Sequence, residues 1–299
     1  MKGMFVKFAW RTGVALLVVC GLLAAARTQD DEFTQGLLWR VEKTGVAPSY
    51  VFGTIHIDDK RVTALPEPVR ESFDGAQSFT MEVSLDDASL LTLAERMVYD
   101  DGRTLQDATG VGLYRKIVPV MERHGVPEAL LAAFRPWAVT LMLEVPQQNS
   151  MEVLDFMLYQ MAQEQHKPVH ELETADEQIA VFEDMPEADQ VTMLKDAVEN
   201  YQDIPGQTEQ LVQAYLARDL AQMWRIDQQS TGDSAAVKGA NQRLERRLLD
   251  ERNARMAERM QPQLQQGGAF VAIGALHLYG ARGVLELLRQ RGYRVTRVY

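Results

Sequence analysis

Hydrophobic residues recur along this chain at two periods, and the change of period divides it into three stretches. Near the start, "LLWRVEK" and "SYVFGTIH" are short apolar runs joined by the turn-rich "TGVAPS", which predicts a β-hairpin. "LPEPVRESFDGA" predicts a short helix with its prolines in the opening turn. In "SFTMEVSL", Phe79, Met81 and Val83 alternate with Thr80 and Glu82, which is the period of a strand. From about Ala88 the spacing becomes three and four. "LYRKIVPVMERHG" closes on a C-cap glycine, and "VLDFMLYQMAQEQ" keeps the helical repeat to Gln165. "KPVHELET" is a short strand feeding the helix "ADEQIAVFEDM", with Thr174 as its N-cap. Two or three more helices run to about Gln265. The strand period then returns: "AFVAIGAL" is almost continuously apolar, as in a strand covered on both faces, and a helix "ARGVLELLRQRG" and a last strand "YRVTRVY" follow.

Strands at both ends with helices between them predict an α/β (α+β) fold. It has a central mixed β-sheet built from both chain ends, flanked by helices, with a helical insert in the middle. No linker rich in Gly, Pro or Ser divides the chain, so residues 27–299 are expected to form a single domain. Residues 1–26 read differently. Lys2, Lys7 and Arg11 precede the acid-free run "GVALLVVCGLLAAA", which ends in small residues, the pattern of a signal peptide cut after Ala26. This predicts a periplasmic or secreted protein with no stable membrane insertion after cleavage.

Composition narrows the partners. The chain has 299 residues, 31 Lys and Arg, 42 Asp and Glu, and a formal charge of −11. So acidic a body argues against nucleic acid as a partner. The single cysteine, Cys20, lies in the apolar leader, so the remainder has neither disulfides nor thiolate metal ligands. Oligomeric state is not encoded in any pattern seen here.

Of five histidines, His56 and His277 each stand three residues after a glycine, Gly53 and Gly274, at the end of an apolar run. Glu82 and Glu173 also lie at downstream ends of predicted strands, where open α/β sheets bind ligands. Two neutral imidazoles with one or two carboxylates suit a divalent metal such as Mn²⁺, Co²⁺ or Zn²⁺. Gly53 and Gly274 would let a substrate or a neighbouring strand approach the backbone beside each His. His124, His166 and His170 lack this setting and are expected at the surface. Arg252 interrupts an apolar stripe of Leu244, Leu248, Met256 and Met260, and Asn253 continues the row from Leu249 to Ala257. Such an Arg either snorkels outward, orients Glu82 or Glu173, or lines a polar cavity and holds a substrate oxygen; the wet cavity is the expectation adopted. Tyr279 is placed to donate to an oxyanion.

"VFGTIH", "TMEVSL", "KPVHELETADEQ", "DERNARMAERM" and "VAIGALHLYGARGVLELLRQRGYRV", in that order, resemble the TraB/GumN/Tiki family from about Leu38 to Tyr299. The resemblance implies a helix-flanked sheet related to the erythromycin esterase and ChaN-like folds. It also implies an active site of His56, Glu82 and His277, because the Tiki branch comprises metal-dependent proteases. The family's "RN" pair falls on Arg252 and Asn253, and its "LET" glutamate on Glu173. The expectation is an exported metal-dependent hydrolase, a peptidase acting on a peptide or protein. His56, Glu82 and His277 would hold the metal, with Glu82 a ligand or the general base. Glu173, Arg252 and Tyr279 would assist catalysis, and Gly53, Gly274 and Asn253 would line the substrate. The rival expectation is a non-catalytic periplasmic binder or regulator that sequesters a peptide or metal in the same pocket.

Overall fold

The computed structural model describes residues 33–83, 87–144, 153–229, 232 and 234–299. The expected signal peptide and its cleavage point lie outside the described residues. Six strands form one mixed sheet: β1 (Leu38–Glu42), β2 (Ser49–Thr54), β3 (Ser78–Met81), β4 (Val169–Glu171), β5 (Ala269–Gly274) and β6 (Arg294–Arg297). Their order is β4-β3-β5-β2-β1-β6. The hairpin expected from the turn-rich "TGVAPS" is β1 with β2, antiparallel, with Trp39 opposite Val51. β5 from the far end of the chain inserts parallel between β2 and β3, and β6 closes antiparallel on β1. The sheet is thus built from both chain ends, and only the three-residue edge strand β4 comes from the middle.

β5 is central because its sequence tolerates no exposed face. Ala269 to Ile273 are all buried, as a strand covered by helices on both sides must be. Phe270 meets Phe73 edge-on at 5.3 Å between ring centroids, and Phe73 meets Phe79 at 5.6 Å. Phe73 and Val69 are four apart on the helix Glu67–Asp74, so one apolar row seats that helix on the sheet. Each such aromatic contributes roughly 1.5–3 kcal/mol by leaving water.

A second core lies in the helices. Trp137 stacks on Phe182, with 6.1 Å between centroids and 16° between planes, amid buried Leu105, Ile117, Leu141, Ile179, Leu194 and Leu244. The helix Ala175–Glu183 joins the two regions. Thr174 caps it in a reciprocal box with Glu177, and Gln178 and Phe182, one turn apart, point inward from it. Near the end of the insert a π-helical turn, Arg246–Glu251, runs directly into the helix Arg252–Arg259. Among the described residues, no helix is long and apolar enough to cross a membrane.

Candidate functional site

The parallel strands β3, β5 and β2 lie side by side, so their carboxyl ends share one edge. Thr54 pairs with Gly274, and the two chains leave the sheet at the same level. His56 follows two residues after β2, Glu82 one residue after β3, and His277 closes the 3₁₀ turn Ala275–His277 that follows β5. All three are buried, at 2%, 3% and 5% exposure.

Gly274 marks their common centre. A Cβ placed there would stand 3.4 Å from Glu82 Oε1, 3.4 Å from His277 Cδ2 and 4.0 Å from His56 Nε2. Gly53 has a different use. A Cβ on it would come within 2.8 Å of Leu278 Cδ1 and 3.1 Å of Ala275 Cα, so the missing side chain admits the turn that carries His277. The close approach expected at Gly53 is therefore that of a neighbouring segment, and substrate has no room on that face.

Each imidazole is held from behind. His277 Nδ1 lies 2.6 Å from Asn253 Oδ1, and Asn253 Nδ2 donates to the Arg282 carbonyl at 3.0 Å. That second bond fixes the amide, so its oxygen faces the ring and Nδ1 carries the proton. Both polar ends of Asn253 are thereby engaged, which sets it behind His277 instead of against a substrate. His277 Nε2 then faces Glu82 Oε1 at 3.7 Å. His56 Nδ1 lies 2.7 Å from Asp155 Oδ2, and Asp155 Oδ1 accepts from the Thr54 hydroxyl at 2.8 Å. Asp155 escaped the sequence reading. Its only trace was an acid beside the apolar row Leu154, Leu158 and Ala162.

The carboxylates are organised by Arg252. Its Nη2 donates to Glu82 Oε2 at 2.7 Å and its Nε to Glu173 Oε2 at 2.8 Å, with Nη1 on the Leu248 carbonyl. At 2% exposure the guanidinium neither snorkels nor faces a wet cavity, contrary to the expectation adopted from the sequence. Two buried anions meet it, which is the alternative in which Arg252 orients the glutamates. Arg255, also missed, takes the other oxygen of Glu173 at 2.6 Å. Gln178 Nε2 bridges Glu82 and Glu173 at 3.3 and 3.4 Å. The Glu173 carboxylate is thus held by Arg252, Arg255 and Gln178, the supporting position that was one of its two expected roles. Tyr279 stands farther along the turn, its ring 6.0 Å from that of Trp224. His124 is half-buried and bonds the Tyr201 hydroxyl at 2.7 Å, while His166 is exposed and His170 partly so.

Electrostatics follows from these contacts. Burial opposes charge on Glu82, but Arg252 and the two imidazoles outweigh it and hold the carboxyl at about 2. Burial also drives His277 down to about 4, with Glu82 opposing. His56 suffers the same burial, yet Asp155 overcomes it and lifts the ring above its ordinary value. The donor set of two imidazole nitrogens and one ionised oxygen fits a divalent transition metal. Among the described residues, no three such side chains are already drawn to ligand distance of one point. Ligand atoms around Zn²⁺ stand roughly 3.3 Å apart, so the 3.7 Å between His277 and Glu82 needs only a small contraction.

A model of the TraB/PrgY/gumN family matches residues 37–297. The uncharacterized protein YbaP of Escherichia coli is 23% identical over 247 residues, which cover 80% of this chain and 87% of YbaP. Metalloprotease TIKI2 of Xenopus tropicalis is 25% identical over 327 residues, covering 92% of this chain and 61% of the relative. For human metalloprotease TIKI1 the figures are 25% over 309 residues, 86% and 61%. The chain thus spans about three fifths of the length of these two metalloproteases. No solved structure matches.

Proposed function

This chain belongs to the TraB/PrgY/gumN family, and we propose that it is an exported metal-dependent hydrolase that cleaves peptides or proteins. The observation that carries the reading is the convergence of His56 Nε2, Glu82 Oε1 and His277 around Gly274, at the carboxyl ends of three adjacent strands. Relatives named metalloproteases support the reaction class, and the basic and apolar residues before Arg27 support export. His56, Glu82 and His277 would hold the ion, with Mn²⁺, Co²⁺ and Zn²⁺ all compatible with the donors. A bound ion would polarise the scissile carbonyl and bring the pKa of water towards about 7.

The protein's own part is to present donors in the right form. His277 offers Nε2 because Asn253 keeps the ring proton on Nδ1. Glu82 offers the second lone pair of Oε1, which also accepts the Gly274 N–H at 2.7 Å, since Arg252 and Gln178 occupy Oε2. A carboxyl held at about 2 is a weak proton acceptor at neutral pH, which supports Glu82 as ligand over general base. Glu173, with Arg252 and Arg255 on its two oxygens, serves to hold Arg252 against Glu82.

The test is metal content and peptide cleavage measured on one purified sample. One equivalent of ion and ion-dependent cleavage of an unstructured peptide are expected, and His277→Ala should lose both while remaining folded. A folded wild-type protein that takes up no ion ends the metal reading. Uptake without cleavage of any peptide ends the peptidase reading.

A further inference from the structure

We propose that Asp155 is the positioning residue for His56: it keeps the ring proton on Nδ1 and thereby aims the Nε2 lone pair at the centre shared with Glu82 and His277. The ligand role of His56 rests on the reading above, whereas the tautomer argument rests on geometry alone.

An ionised carboxylate can only accept, and a neutral imidazole carries one N–H. Asp155 Oδ2 stands 2.7 Å from Nδ1 but outside hydrogen-bond alignment, so the carboxylate acts on the ring through its charge and favours the tautomer that turns a proton towards it. The opposite tautomer would set a nitrogen lone pair against a carboxylate oxygen with no proton between, in a place where both side chains are at most 5% exposed. Thr54 makes the choice of oxygen definite. Its hydroxyl, at the last residue of β2, donates to Oδ1 at 2.8 Å and turns Oδ2 towards His56. Asp155 lies in the first turn of the helix Leu154–Glu164, so the chain Thr54–Asp155–His56 ties that helix to the end of β2.

The two imidazoles are therefore backed unequally, one by an anion and the other by the neutral amide of Asn253. Outer partners of this kind tune the basicity of a ligand as well as its orientation. The structure assigns His56 as the stronger donor of the pair, with Asp155 as the cause.

The tautomer is read in the metal-free protein at alkaline pH, from long-range ¹H–¹⁵N correlations of the His56 ring. Wild type is expected in the Nδ1–H form. Asp155→Asn retains an acceptor oxygen and should keep that form, with Co²⁺ affinity lowered about tenfold; Asp155→Ala should give mixed tautomers and a loss approaching about 100-fold. Melting temperatures are measured on the same samples, and Thr54→Val is the companion variant should Asp155→Ala not fold. A wild-type ring in the Nε2–H form overturns the proposal, whatever the variants do. So does folded Asp155→Ala that binds Co²⁺ as tightly as wild type. An Nδ1–H ring in a wild-type protein that binds no metal upholds the positioning by Asp155 and ends the metal reading.

Discussion

Arg252 places one positive charge between two carboxylates that have almost no contact with solvent, and this decides what its removal costs. Glu173 would keep Arg255, but Glu82 would keep only the Gln178 amide and the Gly274 N–H. Abandoning one partner of a buried pair costs about 3–5 kcal/mol, so Arg252→Leu should lower the urea midpoint by that equivalent. Adding Glu82→Gln to the same chain should recover much of the loss, because the orphaned charge is gone. A single variant within about 1 kcal/mol of wild type would refute the dry pairing. The two glycines separate packing from chemistry in the same way. Gly53→Ala drives a methyl to 2.8 Å from Leu278 and is expected to cost about 1–3 kcal/mol. At Gly274 the nearest atoms stand at 3.4 Å, an ordinary contact, so Gly274→Ala should hold its melting temperature. Its methyl would still occupy the space between the donors, and metal uptake should fall. Equal losses of stability at both positions would refute this distinction.

At the scale of elements, the clamp depends on short helices whose ends are fixed chemically. Thr174 and Glu177 cap the helix that brings Gln178 to Glu82, and Arg259 grips Glu177 from the helix that carries Arg252. Thr174→Ala should cost about 1 kcal/mol in chemical denaturation; no measurable change would mean that Arg259 holds the helix end unaided. The periodic elements were legible in the sequence because their cause is local. Alternation marked β3, an unbroken apolar run marked β5, and glycine before histidine at two strand ends marked the shared edge. The inward face of Arg252 was legible too, since a four-residue stripe survives the π-helical turn before it. Which partner meets a buried group is not local information. Asp155 reaches His56 across about a hundred residues, and Arg255 reaches Glu173 across about eighty, with no period linking either pair. The same absence left substrate and neighbouring chain as equal alternatives at Gly53, whose neighbour is the turn after β5.

Across the whole molecule, the candidate site is not alone in holding a carboxyl with a displaced titration. Glu144 ends the helix Pro136–Glu144, where burial, then the neighbouring Asp196, raise its carboxyl to about 8. A helix C-terminus is itself unfavourable to an anion. The folded state thus holds this proton more tightly than the unfolded chain. Its stabilising effect is complete below about 4.5, the unfolded value, and is lost as pH rises through about 8. Glu144→Gln should therefore match wild type near pH 5 and melt several degrees higher at pH 9; equal melting at pH 9 would show that the carboxyl ionises without penalty. The sheet itself has a consequence for biosynthesis. His56 and His277 are brought together only when β5 slides between two strands made long before it. Pairings so distant in sequence form late and slowly. A nascent chain, or any product of premature termination, owns His56 and Glu82 without His277, so under the proposed function hydrolysis would report that translation had run to completion.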